Sequence, residues 1–168
     1  MPTSSEQSKT ATPRRTAAQT LDRLLHPRDQ LRILEEIRRA ELSTTGELKV
    51  HVEATCPAAD PMTRAIDLFE KLGLHRTESR NGVLVYAALH ERRFTIIGDV
   101  ALDASLRDVL FGEALRRLSI AFRRGAYGEG IASAVTALGT TMARRFPGLP
   151  GNKNEIENEI STEDTSAR

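Results

Sequence analysis

The sequence predicts an α/β fold, a single-domain α/β/α sandwich with a small mixed β-sheet flanked by helices on both faces. Two observations carry this. Residues 48–53 alternate apolar Leu48, Val50 and Val52 with polar Lys49, His51 and Glu53, the period of a strand with one polar face. Residues 83–89 are apolar nearly throughout, as in a strand buried on both sides, and stretches of helical period surround both segments. The order of these segments, α-β-α-β-β-α-α-α, is that of helices layered on a sheet.

The elements follow in order. Residues 1–20 and 151–168 hold few apolar residues and are expected to be disordered tails around a domain spanning 21–150. The second tail is acidic, with Glu155, Glu157, Glu159, Glu163 and Asp164 against Lys153 and Arg168. Residues 21–26 read as a short helical latch, and Pro27 opens a helix over 28–42 with Leu31, Leu34, Ile37 and Ala40, joined by Ile33, on its core side. Gly46 precedes the first strand, and Cys56-Pro57 ends it. A second helix over 60–72 has Asp60 as cap, Pro61 at its first position, and Ile66, Phe69 and Leu72 facing inward. Strands at 83–89 and 93–97 form an antiparallel hairpin across His90-Glu91-Arg92. After Asp103, a cap, two helical stretches are expected at 104–110 and 113–123. A final helix over 127–146 presents Ile131, Val135, Leu138 and Met142, with Gly130, Ala134 and Ala137 permitting close approach.

Composition narrows the function. The formal net charge is +1, so no global field points to nucleic acid or a membrane surface. The paired arginines Arg116-Arg117 and Arg123-Arg124 make a basic stripe, but only 4% of residues are aromatic, against a stacking platform for bases. A single cysteine, Cys56, excludes an internal disulfide and a cysteine-based zinc cluster. No apolar run is long enough for a signal peptide or membrane span, so a soluble, cytoplasmic protein without direct membrane insertion is expected.

No nucleophile–base pair is apparent. His51 and Glu53 share a strand face, where they could form a pair or touch a ligand; the favoured reading is a sheet face partly wet or packed under polar helix residues. The best remaining constellation is carboxylate: Asp99 lies beyond a buried strand, and Asp103 is four residues on. Strand ends of open α/β sheets receive ligands, and carboxylates with loop carbonyls suit Ca²⁺ or Mg²⁺. The expected metal ligands are therefore Asp99 and Asp103. The expected ligand-binding residues are Glu47, Arg80 and Asn81, with Arg80 able to clamp phosphate oxygens through its fork of donors.

Several segments in register resemble the TPM domain family. Glu41 to Glu53 matches its acid-x-x-Thr-x-Gly-Glu-aliphatic opening. Leu72-Gly73-Leu74-His75-Arg76-Thr77, Arg80-Asn81-Gly82-Val83-Leu84, Ile97-Gly98-Asp99 and Phe122-x-x-Gly125-x-Tyr127-x-x-Gly130-Ile131 follow in order, and Asn154-Glu155-Ile156 resembles the closing segment of its soluble bacterial branch. The resemblance covers Leu25 to Asn154. Leu110-Phe111 stands where relatives commonly place Trp. The family includes thylakoid-lumen proteins described as acid phosphatases, so the resemblance implies the fold and, by analogy alone, a phosphatase. The leading expectation is a non-catalytic cytoplasmic binding or assembly module, a monomer with a protein partner that includes membrane-associated proteins. The alternative is a divalent-metal-dependent phosphatase acting on phosphomonoesters.

Overall fold

A computed structural model of the chain describes residues 14–151 and 154–163. Its elements are α1 (Ala17–Leu24), α2 (Pro27–Ser43), β1 (Leu48–Glu53), α3 (Pro61–Lys71), a 3-10 turn (Leu74–Arg76), β2 (Val83–Ala88), β3 (Arg93–Gly98), α4 (Ala104–Arg123), α5 (Tyr127–Arg145) and β4 (Ile160–Thr162). The four strands lie in the order β3-β2-β1-β4. β1 runs parallel to β2 and to β4, and β2 pairs antiparallel with β3, so the sheet is mixed as expected.

Side-chain alternation assigns the two faces. Leu48, Val50 and Val52 of β1 and Val83, Val85 and Ala87 of β2 join one core with Ile33 and Ile37 of α2, Leu118 and Phe122 of α4, and Ile131, Val135 and Leu138 of α5. Leu84, Tyr86 and Ala88 point the other way, into a smaller core with Ala65, Leu68 and Phe69 of α3. All six β1 residues are buried, Lys49, His51 and Glu53 included, so the polar face is packed under the polar residues of α3 rather than partly wet.

Four expectations change. The N-terminal tail was expected to reach Thr20, but α1 begins at Ala17. Thr16 and Gln19 form a reciprocal capping box, and Thr20 is buried. The C-terminal tail was expected from residue 151, but Ile160–Thr162 is a strand on the edge of β1. The parts of both expectations that fall on 1–13, 152–153 and 164–168 lie outside the described residues. Among the helices, the two stretches after Asp103 are one continuous α4. Gly112, placed between them in sequence, has open space around it, and an isolated helical Gly costs only about 1 kcal/mol.

The last change concerns helix rotation. Leu31 is 69% and Ile66 58% exposed, whereas Ile33, Ala65 and Leu68 are sealed. Ile120 is exposed as well, while Leu118 and Phe122 are buried. Each of these helices carries more apolar residues than one face accommodates, and its neighbours select which are covered.

α5 is the central helix of the larger core. A Cβ on Gly130 would stand 2.6 Å from the Ala121 Cβ of α4, and one on Gly139 would stand 2.6 Å from the Ala40 Cβ of α2. Gly130→Ala gains about 1 kcal/mol of helix propensity. Overpacking at a helix crossing costs about 1–3 kcal/mol. A net loss of about 1 kcal/mol is expected in urea unfolding, and a gain would show that the crossing is loose.

Candidate functional site

The residues singled out in the sequence gather at one end of the sheet, because β1 and β2 start there and β3 ends there. The Val83 amide donates to the Glu47 carbonyl at 2.8 Å, and the Asp99 amide to the Gly82 carbonyl at 2.9 Å. Glu47, Arg80, Asn81 and Asp99 are thus close through the sheet, although each has its own internal partner.

Arg80 and Asp99 form a two-point ion pair, Nε to Oδ2 at 2.7 Å and Nη2 to Oδ1 at 2.9 Å. Oδ1 of Asp99 also accepts from the Val100 amide at 2.7 Å. Burial would raise the Asp99 pKa, but the Arg80 hydrogen bonds and the Val100 amide outweigh it and hold the carboxylate below its usual range. Arg80 adopts a left-handed backbone with φ of 49°, uncommon for a non-glycine residue. Asp103 caps α4, accepting from the Leu106 amide at 2.9 Å and the Ser105 hydroxyl at 2.8 Å. A cation at Asp99 would have to compete with a guanidinium already seated on both carboxylate oxygens, so this donor set is a poor fit for Ca²⁺ or Mg²⁺. Among the described residues, no group of three or more His, Cys, Asp or Glu is placed to hold a metal ion.

Asn81 is sealed, with its Nδ2 donating to the Thr45 hydroxyl at 3.1 Å. Glu47 is also buried, and its Oε1 accepts the Glu155 amide at 2.7 Å. Beside it lies Glu41, whose Oε1 accepts the Leu48 amide at 3.1 Å. Burial and the Glu47 charge push Glu41 up to about 8, against the opposing Leu48 amide. Burial pushes Glu47 upward too, so the two neighbouring carboxyls titrate as a linked pair.

Next to the Arg80–Asp99 pair is a groove of about 560 Å³ between α3 and the end of β3. Phe69, Ile96, Ile97 and Phe111 line it, together with Met62, Ile66 and Val100, which are 40%, 58% and 68% exposed. Arg80, Arg107, Asp99 and Glu70 stand around it.

A second constellation lies along the polar face of β1; sequence reasoning put His51 and Glu53 there together but missed the partners that join them. His51 Nε2 lies 3.1 Å from Glu53 Oε1, and His51 Nδ1 lies 2.8 Å from the Ser161 hydroxyl of β4. Glu53 also receives the Arg64 guanidinium of α3 and the Tyr86 hydroxyl, the latter at 2.8 Å. Burial acts to raise its pKa, but His51 and Arg64 together keep it below the ordinary carboxylate value. Lys49, with a side chain only 4% exposed, donates to the Glu157 carbonyl at 3.0 Å and meets Glu159 at 3.3 Å. Arg64 and Lys71 both bind Glu163. The signal for this network was present: Ile160-Ser161-Thr162 has β-forming residues and follows an acid-rich approach, while Lys49 and His51 alternate on β1.

The basic stripe of α4 is neutralised only in part. Arg116 and Arg117 both engage Glu113, at 2.7 and 2.9 Å. No helix among the described residues is long and apolar enough to cross a membrane.

No curated protein matches the chain. Among solved structures, the BA42 protein from the psychrophilic bacterium Bizionia argentinensis is 29% identical with a TM-score of 0.76, and the match covers 83% of this chain and 95% of that one. The N-terminal domain of a P. gingivalis protein is 21% identical with a TM-score of 0.61, covering 73% of this chain and 79% of that one, a likeness of fold. The N-terminal domain of the cg2496 protein from Corynebacterium glutamicum shares the fold at 14% identity and a TM-score of 0.55, covering 86% of this chain and 83% of that one. The TPM domain model matches residues 19–141, and the chain belongs to the TPM domain family.

Proposed function

We infer that the chain is a non-catalytic binding module, working in the cytoplasm as a monomer, that docks an amphipathic helix of a protein partner, membrane-associated proteins among them. The supporting observation is the groove beside α3. Three large apolar side chains, Met62, Ile66 and Val100, stay in water around a concave floor of Phe69, Ile97 and Phe111. An exposed apolar surface that is also concave is the usual form of a helix-receiving site. Acidic and basic residues both line it, Arg80 paired with Asp99 and Arg107 and Glu70 beside them, which suits a helix with an apolar face and mixed-charge flanks.

Ile66→Glu tests this reading. The side chain is more than half exposed, so the change is expected to alter stability by less than about 0.5 kcal/mol, while abolishing recovery of proteins that wild type captures reproducibly from native lysate. Identical recovery by the two forms removes the groove as the binding surface. Metal-dependent hydrolysis of a phosphomonoester by purified protein, lost in Asp99→Ala, would instead favour the phosphatase.

A further inference from the structure

The chain segment 154–163 lies across the polar edge of the sheet as a strap, and its contacts differ in kind from those elsewhere in the fold. β4 is three residues long and pairs with only half of β1, Val50 opposite Ile160 through Val52 opposite Thr162. The Ser161 and Thr162 hydroxyls donate to the Val50 and Val52 carbonyls at 3.3 and 2.5 Å. Only Ile160 is a buried apolar anchor, helped by the half-buried Ile156 against the α3 core.

The other contacts are polar: the Glu155 amide donates to Glu47 and its carboxylate accepts from the Glu78 amide, Ser161 meets His51, and the glutamates that follow pair with cations set in the domain itself. Lys49 comes from β1, and Arg64 and Lys71 come from α3. Glu159 meets the first, and Glu163 meets the other two. A nearly buried lysine is costly without a partner, so β1 is built to receive an acid beside it.

The strap does not fill its seat. Between it and the 3-10 turn remains a cavity of about 450 Å³, with Lys49, Leu72, Arg76 and Thr77 on the domain side. Thr77 lines this cavity, and its hydroxyl is sealed behind it with no hydrogen-bond partner among the described residues. The site therefore has a cation, Arg76, with no ion-pair partner among the described residues, and apolar space over Leu72. These features sit along a strand edge, where a peptide adds by main-chain pairing and side-chain pockets select its sequence.

We propose that the outer edge of β1 is a binding site for an extended acidic segment of another protein, and that residues 154–163 occupy it in cis as a competitor. The ligand runs parallel to β1, places carboxylates on Lys49 and on Arg64–Lys71, and presents Ser or Thr to the β1 carbonyls. A side chain larger than Ile156 extends into the cavity toward Arg76 and Thr77. The site lies on the opposite flank of α3 from the Met62–Ile66 groove and is independent of it.

The probe is a fluorescently labelled synthetic peptide with the sequence of residues 154–163, titrated by anisotropy into two full-length chains. One is wild type. The other carries Glu159→Lys and Glu163→Lys, which loosen the strap at side chains 60% and 37% exposed, leaving the cores untouched. The peptide is expected to bind the variant at least tenfold more tightly than wild type. A peptide with both glutamates replaced by lysine is expected to lose that binding by at least tenfold. Thermal melts of the variant confirm that it is folded, and Ser161→Pro, which blocks the strand by a different route, is expected to reproduce the gain. Equal affinity for wild type and both variants, or equal affinity of the charge-reversed peptide, overturns the proposal. A wild-type dimer that the peptide dissociates also overturns it, by assigning the seat to the strap of a second copy.

Discussion

Arg64→Ala is expected to destabilise the protein by about 3–5 kcal/mol, because it leaves a carboxylate sealed in the sheet without its permanently charged partner. Glu53 is 0% exposed and, among the described residues, retains only His51 and Tyr86 as side-chain partners once the guanidinium is gone. Arg64 also ties α3 to the strap through Glu163, so both attachments are lost together. The pH dependence has a definite sign. Glu53 ionises below its ordinary value in the folded state, so its pairing stabilises the protein above that value and is lost as pH falls through the folded pKa. Without Arg64 that depression shrinks, and acid unfolding begins at higher pH than in wild type. Urea titrations at neutral pH and an acid titration followed by circular dichroism measure both effects. Replacing both partners with apolar isosteres, Glu53→Leu with Arg64→Met, is expected to cost less than Arg64→Ala alone, since no buried charge is then left unpaired. A cost below 1 kcal/mol for Arg64→Ala would mean that His51 and Tyr86 suffice for Glu53.

Glu41→Gln is expected to do nothing at pH 5 and to stabilise the protein at pH 9. Glu41 titrates at about 8 in the folded state, against an ordinary value of 4.5. Between those values the folded chain holds a proton that the unfolded chain has released, so this group lowers stability progressively as pH rises through the window. Gln reproduces the protonated acid: its carbonyl accepts the Leu48 amide, and its amide donates toward Glu47. It carries no charge to be forced on the buried pair at high pH. The relief is about 2 kcal/mol above pH 8, a value set below the full shift because some of the charge is solvated. Unfolding free energies of both forms at pH 5 and pH 9 decide the matter. A difference that is the same at both pH values would mean that Glu41 is ionised throughout.

Much of the site was legible before the fold, because its signals are local. The Thr44-Thr45-Gly46-Glu47 turn, the Arg80-Asn81 approach to β2 and the Gly98-Asp99 exit from β3 each announce a strand boundary, and three adjacent strands bring those boundaries to one end of the sheet. The cap role of Asp103 was equally readable, from a short carboxylate ahead of a helical period. Partner choice was not. Whether Asp99 faces solvent or Arg80 depends on a left-handed residue nineteen positions away, and no periodicity encodes that encounter. Thr16-x-x-Gln19 was a readable capping box hidden in a stretch of tail-like composition.

The sequence by itself determined the class of the protein: the alternating strand, the apolar hairpin, the helices between them and the glycines that close α3 and α4 at φ of 76° and 72°. Those features arise from backbone sterics and from side-chain spacing within a few residues, which act before distant parts of the chain meet. Only the tertiary structure decided that Leu31 and Ile66 would face water, since an apolar residue is buried only where a neighbouring element covers it. It also decided the fate of the acidic C-terminal segment. Its composition resembles that of a solvated tail, because its partners are charges rather than a core. Lys49, Arg64 and Lys71 come from β1 and α3, far back in the chain, and form a seat for it only after the sheet and α3 have assembled.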